Sequence, residues 1–368
     1  MKSMYNRSLV INPMDFDIFV GMDVDKKSIC LTTLDHQGVE KPLKMPYNSG
    51  NLIGYLRRHF ADKRVALAYE VGPTGYGLYD DLTAAGFRCL VVPPADTPQS
   101  RSDRVKTNRI DSRKLAHSLR GGELHSVHVP SPIYRQLRHL VALREVFVCQ
   151  SRADKFRIKG MLLLESIPYP DPCPRGYWSG PAVKRLEILP CEPILRFKLD
   201  QLLASMRFAD ERLHESNKTI RLFIGAHPDL SHNNSLLITV PGIGQVVSAY
   251  LLARIADPTV LDNPRQLAAL LGLVPTEHST SDRTRRGSIT RLGDPATRNK
   301  LIETAWTSIR FDPELRQYYE RIRSRHPAPV AARKAIVAVA RKLTTRIFAV
   351  LKYRQPYTAR SPQLMQQP

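Results

Sequence analysis

The N-terminal part of the chain alternates between short apolar runs and stretches with helical periodicity. Residues 17–35 hold two runs of apolar and β-branched residues around a short polar break, a pattern typical of a β-hairpin. Further patterns predict strands at 64–71 and 87–93, and helices at about 50–60, before Gly86 and from about Asp111 to Leu119. Strands that alternate with helices in this way predict an α/β domain over residues 15–130.

Two longer helical patterns follow, and they predict a linker of paired helices over residues 131–235. The first is a basic helix over 133–165, and the proline- and glycine-rich stretch 168–193 after it predicts a loop or insertion. In the second helix, apolar residues recur in alternating steps of four and three, as in a coiled-coil seam: Leu195, Leu199, Leu202, Met206, Ala209 and Leu213. We expect these helices to pair antiparallel or with another subunit. One helical hairpin packed within a monomer is the alternative.

Residues 236–355 predict a third, mostly α-helical domain, followed by a flexible tail over 356–368. The domain opens with two apolar helical runs around Pro-Gly-Ile-Gly, which resembles a helix-hairpin-helix. Gly242 and Gly244 allow close backbone approach, and the next helix would present free N–H groups to a nucleic-acid phosphate. A tight turn between buried helices is the alternative. Helical patterns return at about 295–309 and 331–351.

The charge balance points to a polyanionic partner. The formal net charge is +21 and the isoelectric point is about 10.0, which favours nucleic acid or an anionic membrane surface. The longest apolar run, 236–253, is broken by Pro241 and by glycines, so we expect no membrane span. Five scattered cysteines without a CxxC pair predict free thiols in a reducing cytosol rather than a zinc site or a disulfide framework.

Three acidic residues stand at informative places in the predicted α/β domain. Asp23 lies within an apolar strand, Glu70 closes another strand, and Asp111 starts a helix. Carboxylates gathered from separate segments can hold a divalent cation such as Mg²⁺, which acts on phosphate groups. Each residue also has a simpler interpretation: a salt bridge for Asp23, a solvated strand end for Glu70 and a helix N-cap for Asp111.

The segments around these acids, GMDVDKKS, AYEVGPTGYGLYDDL and VKTNRIDSRKLA, resemble the DEDD-type insertion-sequence transposases. The resemblance implies an RNase H-like (RuvC-like) N-terminal domain in which Asp23, Glu70 and Asp111 are catalytic residues and Mg²⁺ ligands. The remaining position of the family pattern falls on Asn108, whose amide oxygen can bind a metal but brings no charge. Lys106, in the same segment, is a candidate nucleic-acid contact.

A stretch rich in hydroxyls and arginines, residues 276–288, predicts a basic loop. A serine that attacks a phosphodiester needs such cations around the transition state, but the composition by itself favours a solvated loop that only binds phosphate. The resemblance implies a serine nucleophile here, and we identify Ser279 as the first candidate, then Ser281, with Thr280 possible. Candidate phosphate contacts are Arg283, Arg285, Arg286, Arg291 and Arg298.

Together these features are similar to a mobile-element transposase that cleaves and rejoins DNA through a phosphoserine intermediate. The resemblance implies donor and target DNA, a structured guide RNA, and a homo-oligomer (dimer or tetramer) in which metal site and serine form one composite site. It also implies a bacterial cytoplasmic, nucleoid-associated location. Two other functions stay open: a Mg²⁺-dependent junction-resolving nuclease that uses water, and a non-catalytic nucleic-acid-binding remnant, which Asn108 favours.

Overall fold

The computed structural model describes residues 10–93, 107–170, 178–280 and 283–358, with the backbone alone over 278–286 within those ranges. The chain divides into two compact units, residues 1–129 and 130–368. The division of the second unit into a helical linker and a C-terminal domain at residue 235 stays a prediction.

The first unit is built on a five-stranded mixed sheet. Its strands are β1 Ile18–Val24, β2 Ser28–Asp35, β3 Glu40–Pro46, β4 Val65–Glu70 and β5 Arg88–Val92, in the order β3-β2-β1-β4-β5. β2 is antiparallel to β1 and β3, whereas β4 is parallel to β1 and β5. The helices are α1 Ser49–His59, α2 Gly77–Ala84 and α3 Asn108–Arg120. This confirms the α/β prediction and is consistent with an RNase H-like domain.

One strand of this sheet, β3, has no counterpart in the sequence-based prediction. Its sequence, EKPLKMP, carries two prolines and two lysines, and most of its residues are exposed. Prolines and charged residues are tolerated on an edge strand, because its outer side makes no ladder hydrogen bonds. The edge position therefore explains why β3 lacks the apolar pattern of its neighbours.

The two faces of the sheet are covered by different helices. Apolar residues of α1 and α2 pack with Val20 and Met22 of β1 on one face. On the other face, residues of α3 pack with Phe19 and with Leu90 of β5. Because successive side chains of a strand point to opposite faces, every second residue of β1 faces α3.

The second unit begins with two long helices, α4 Pro132–Leu164 and α6 Pro193–Ala226, with the short α5 Gly180–Glu187 between them. α4 and α6 pack antiparallel: Arg144 Nε donates to Asn217 Oδ1 at 2.7 Å, and Ser205 Oγ donates to Asp154 Oδ2 at 2.7 Å. The prediction that 168–193 is a loop is wrong over α5, because Pro181 occupies the first turn, where a helix tolerates proline. A coiled coil and a subunit contact stay predictions.

We expect Ser205→Ala to destabilise the α4–α6 pair. Asp154 is 1% exposed, and the serine satisfies one of its oxygens, so alanine leaves a buried acceptor without that donor. The expected loss is about 1–3 kcal/mol in the free energy of unfolding, measured by urea denaturation. Ser235→Ala removes an exposed local bond and is the matched control, with an expected change within about 0.5 kcal/mol. An equal effect of both changes would contradict this role for Ser205.

The rest of the second unit is mostly helical. Its elements are α7 Pro228–Ile238, α8 Gln245–Ile255, α9 Pro264–Leu270, β6 Pro275–Thr280, β7 Arg283–Ile289, α10 Pro295–Phe311, α11 Pro313–Arg323 and α12 Ala328–Tyr353. The basic loop predicted over 276–288 is instead an antiparallel β6–β7 pair. None of the helices in the described ranges has the length and apolar character that a membrane crossing requires.

The first residues of the predicted flexible tail are held in place. Tyr357 donates its backbone N–H to Thr239 Oγ1 at 2.8 Å and its hydroxyl to Asp312 Oδ2 at 2.6 Å. Arg346, 8% exposed, donates to the Tyr357 hydroxyl and to Glu314. The prediction is therefore wrong for Tyr357, while residues 359–368 lie outside the described part of the chain.

Candidate functional site

Asp23 and Glu70 lie side by side on the sheet. β1 and β4 are parallel and pair Met22 with Tyr69, so the next residue of each strand, Asp23 and Glu70, are also neighbours. Neighbouring strands are about 4.8 Å apart, which is close enough for two carboxylates to share one cation. Both residues are half-buried. The strand register therefore brings together two acids that are far apart in sequence.

These two carboxylates are on the face of the sheet that α3 covers. Their strand neighbours Met22 and Tyr69 belong to the opposite core, so the alternation of side chains places Asp23 and Glu70 on the α3 face. Thr32 of β2, on the same face, shares a 3.0 Å hydrogen bond with Ser112 of α3. α3 is thus anchored next to the carboxylates.

Gly21 of β1 sets how closely α3 approaches. A Cβ atom at this position would stand 2.1 Å from the Ser112 carbonyl oxygen and 2.3 Å from the Ala116 backbone nitrogen. Any side chain would therefore push the helix backbone away from the strand. The glycine is two residues before Asp23, so it controls the distance between that carboxylate and the helix that carries the other candidate ligands.

The first turn of α3 carries Asn108 and Asp111, both half-buried. The helix is capped by Thr107, whose Oγ1 accepts the Ile110 backbone N–H at 3.3 Å. The alternative in which Asp111 is the N-cap is therefore wrong, because the helix begins earlier than its sequence pattern indicated. Asp111 is instead a first-turn residue, and its role as a ligand stays a prediction.

Sequence reasoning missed Asp25 as part of this region. Asp25 follows β1 directly, and its Oδ2 accepts a hydrogen bond from Asn108 Nδ2 at 2.5 Å. The signal was present in GMDVD, where a second acid stands two residues after Asp23. Its partner, 83 positions away, could not be identified from local spacing.

The donor chemistry of this region fits Mg²⁺. The candidate ligands are hard oxygen donors, and Mg²⁺ is usually held by one or two carboxylates together with water and substrate phosphate. The part of the chain that the structure describes contains no group of three or more His, Cys, Asp or Glu side chains that could hold a metal. The ion's water molecules and a bound phosphate would supply the other ligands.

The adjacent thiol is not a nucleophile. Cys30 is paired with Asp23 across β1 and β2. Burial raises the pKa of the Cys30 thiol, and the charges of Asp23 and Asp25 act in the same direction, against the lowering by Lys44. Cys30 is therefore a neutral thiol at physiological pH, and a thiolate is the form that would attack or bind a soft metal.

Two of the candidate nucleophiles, Ser279 and Thr280, lie at the end of β6. In the backbone register, Ser279 is opposite Thr284 and Thr280 is opposite Arg283. Ser281 lies outside the described residues. Arg283, Arg285 and Arg286 are on β7 rather than in a loop. Their contacts with phosphate and the role of the hydroxyls stay predictions.

The Pro-Gly-Ile-Gly turn joins α7 to α8. Gly242 has a positive φ of 89°, and a Cβ there would stand 2.9 Å from Ser308 Oγ and 3.0 Å from the Thr304 carbonyl oxygen of α10. Its close approach is thus to a helix of the same unit. Gly244 is the N-cap residue of α8 and has no side chain to cap it, so the first N–H groups of α8 are available to an anion. A helix-hairpin-helix stays a prediction.

The remaining candidate contacts differ in exposure. Arg291 is exposed and has a positive φ of 56°. Arg298 is 8% exposed, and its Nη1 donates to the Leu292 carbonyl at 3.5 Å, so its side chain supports the preceding turn. That burial argues against the phosphate contact predicted for Arg298. Lys106 lies outside the described residues.

Comparison with known protein families gives two matches. The model DEDD_Tnp_IS110, described as Transposase, matches residues 20–167, which include Asp23, Glu70, Asn108 and Asp111. The model described as Transposase IS116/IS110/IS902 family matches residues 234–320, which include the Pro-Gly-Ile-Gly turn and the β6–β7 pair.

Individual relatives extend these matches. The chain is 32% identical over 253 residues to the putative transposase y4qE of Sinorhizobium fredii, and the match covers 69% of this chain and 60% of that protein. It is 24% identical over 347 residues to the transposase for insertion sequence element IS1533 of Leptospira borgpetersenii, covering 92% and 97%. It is also 27% identical over 158 residues to the pilin gene-inverting protein of Moraxella bovis, covering 42% and 48%.

Proposed function

We propose that the chain, which matches two transposase family models over residues 20–167 and 234–320, is an IS110-family recombinase of a mobile insertion sequence, which cuts DNA strands and rejoins them. The observation that carries the proposal is the register of β1 and β4, which places Asp23 beside Glu70 on the face that α3 covers. Asp111 and Asn108 are in the first turn of the same helix. Two neighbouring strands and the helix packed on them therefore carry the four candidate ligands.

In the proposed reaction these residues position the scissile phosphate. Asp23, Glu70, Asp111 and the amide oxygen of Asn108 would hold Mg²⁺, which when bound withdraws charge from the phosphate oxygens. The half-buried position of all four limits the access of water. The carboxylates themselves repel a bare phosphate, so productive binding of the DNA backbone depends on the cation.

The bond changes are assigned to a hydroxyl among residues 279–281, with Ser279 first, then Ser281 and Thr280. The serine oxygen bonds to phosphorus, its proton passes to a base or to water, and the bond from phosphorus to one sugar oxygen breaks, which leaves that sugar with a hydroxyl. A sugar hydroxyl of another strand then attacks the phosphoserine, and the serine leaves with a proton. The energy of the phosphodiester is kept in the phosphoserine bond, so rejoining needs no nucleoside triphosphate or other energy source.

The partners in this proposal are donor DNA, target DNA and a structured guide RNA. The net charge of +21 supports binding of long polyanions, and the start of α8 offers backbone N–H groups to a phosphate. The metal region and the serine are in different units, so we propose that they meet in a composite site within a homo-oligomer. The paired helices α4 and α6 would then join the subunits.

A triple substitution tests the proposed nucleophile. We expect the change of Ser279, Thr280 and Ser281 together to alanine to abolish strand exchange and the covalent protein–DNA adduct, because no hydroxyl remains to form the phosphate ester. The full-length protein is incubated with Mg²⁺, RNA from the ends of its element and a DNA junction, and adducts are located by mass spectrometry. Ser288→Ala, which changes an exposed serine on the same strand pair, is the matched control and should keep both activities.

Two outcomes would count against the proposal. Full strand cleavage by the triple variant, without an adduct in the wild type, would favour a nuclease that uses water. Retained DNA binding with no strand exchange in the wild type would favour a non-catalytic remnant, a function that Asn108 supports because it removes one charge from the metal region. An adduct confined to residues 279–281 would exclude both.

A further inference from the structure

Asn108 and Asp25 form a hydrogen-bonded pair at the edge of the candidate metal region. Asn108 is the first residue of α3, and Asp25 follows the end of β1. The distance from Asn108 Nδ2 to Asp25 Oδ2 is 2.5 Å, so the amide nitrogen donates a hydrogen bond to the carboxylate. Asn108 is half-buried and Asp25 is exposed, so this hydrogen bond lies near the protein surface.

This contact decides which way the amide points. A primary amide has an oxygen that accepts and a nitrogen that donates, and the two ends have almost the same shape. An ionised carboxylate only accepts hydrogen bonds. Asp25 therefore selects the orientation in which the NH₂ group of Asn108 faces it, and the amide oxygen Oδ1 points away from Asp25.

The orientation matters because the two ends act oppositely on a cation. An amide oxygen is a hard ligand that suits Mg²⁺, whereas an NH₂ group carries partial positive charge and repels it. An aspartate at position 108 would present an oxygen in either orientation and would need no such partner. The departure of this chain from the family pattern at position 108 therefore creates a need for an orienting group.

We propose that Asp25 is a positioning residue of the metal region, which holds the Asn108 amide so that its oxygen is presented to the cation. This inference rests on the proposed function, in which the region binds Mg²⁺. Asp25 acts here through Asn108 and not as a ligand. Partners of metal ligands commonly change metal affinity by about 10- to 100-fold when they are removed.

A double-mutant cycle on the full-length protein tests the proposal. Mn²⁺ serves as the probe, because its binding is measured by electron paramagnetic resonance without any DNA. The four proteins are the wild type, Asp25→Asn, Asn108→Asp and the double variant. An asparagine at position 25 can donate as well as accept, so it no longer fixes the orientation of the Asn108 amide.

The expected result is a loss that depends on the residue at position 108. With the wild-type Asn108 present, Asp25→Asn should weaken Mn²⁺ binding about 10- to 100-fold. In the Asn108→Asp protein, the same change should alter binding by no more than about twofold, the scatter of independent sites. This rescue separates positioning from a structural role, because a damaged turn at Asp25 would weaken binding whichever residue stands at position 108.

Equal losses in both backgrounds would overturn the proposal and assign Asp25 a general effect of charge or structure. No loss in either background would overturn it as well. The proposed function is tested separately in the same assay by Asp23→Asn. If Asp23→Asn leaves Mn²⁺ binding unchanged, the metal region itself is wrong; if it weakens binding while Asp25→Asn does not, only the role of Asp25 fails.

Discussion

Replacing Gly21 by alanine should separate α3 from the sheet and lower the stability of the first unit. The new Cβ would stand 2.1 Å from the Ser112 carbonyl oxygen and 2.3 Å from the Ala116 nitrogen, both backbone atoms that no rotamer change can move. Overpacking of this kind costs about 1–3 kcal/mol, and more where backbone must shift. We expect a loss at or above the upper end of that range in urea denaturation of the full chain.

The same substitution should weaken metal binding. Asn108 and Asp111 are in the first turn of α3, so a shift of the helix moves both away from Asp23 and Glu70. Mn²⁺ affinity, measured on the folded protein below the denaturation range, should therefore fall along with stability. The two effects have one cause, the distance between α3 and β1.

Gly54→Ala is the control for Gly21→Ala. Gly54 is exposed within α1, and apart from its chain neighbours and the backbone of its own helix, none of the described residues has an atom within 4 Å of its would-be Cβ. Alanine in a helix interior is favoured over glycine by about 1 kcal/mol, so this variant should be slightly more stable than the wild type with unchanged Mn²⁺ affinity. Wild-type stability and affinity in the Gly21→Ala protein would show that α3 is not held as tightly as the contact implies.

The arrangement of Asp23 and Glu70 could be predicted from sequence to a large extent. Buried parallel strands leave strong apolar runs, and the acids interrupt or end those runs, so both strands and both acids were identified. The register that makes them neighbours was not accessible, because a shift of one residue would have sent one acid to the opposite face. The register came from the pairing of Met22 with Tyr69.

Other features depended on contacts that leave little trace in local sequence. The Asn108–Asp25 hydrogen bond joins residues 83 positions apart. The β6–β7 pair consists mainly of hydroxyl-bearing and charged residues, whose composition is typical of a loop. The pairing of its backbone groups with one another, rather than an apolar pattern, defines it as two strands. Polar strands of this kind are the elements that hydrophobic periodicity identifies least well.

At Gly242 the structure gives a different physical reason for the glycine than the one predicted from sequence. From the sequence, the missing side chain of Gly242 predicts close approach of the backbone to a phosphate. In the structure α10 packs against Gly242, because a Cβ at this position would contact Ser308 and Thr304 of that helix. Ser308 Oγ also donates to the Pro241 carbonyl at 2.6 Å, which fixes the turn to the helix. The phosphate-binding proposal therefore depends on the start of α8 at Gly244 rather than on both glycines equally.

Neutralising Asp23 or Glu70 should have the largest effect on the reaction itself. Asp23→Asn and Glu70→Gln keep the shape of each side chain, but each removes one negative charge from two carboxylates on the same face of the sheet. Strand cleavage should therefore fall at least about 100-fold, which is the effect of losing one group that stabilises charge in a transition state. In the proposed function the two residues hold the same cation, so the double variant should be far less impaired than the product of the two single effects predicts. Cleavage is measured with the full-length protein, RNA and a DNA junction, and DNA binding is measured alongside.

Asp81→Asn, which removes an exposed carboxylate from α2, should keep wild-type activity. Full activity of Asp23→Asn, or single losses that simply multiply in the double variant, would show that the neighbouring positions of Asp23 and Glu70 do not make one functional site.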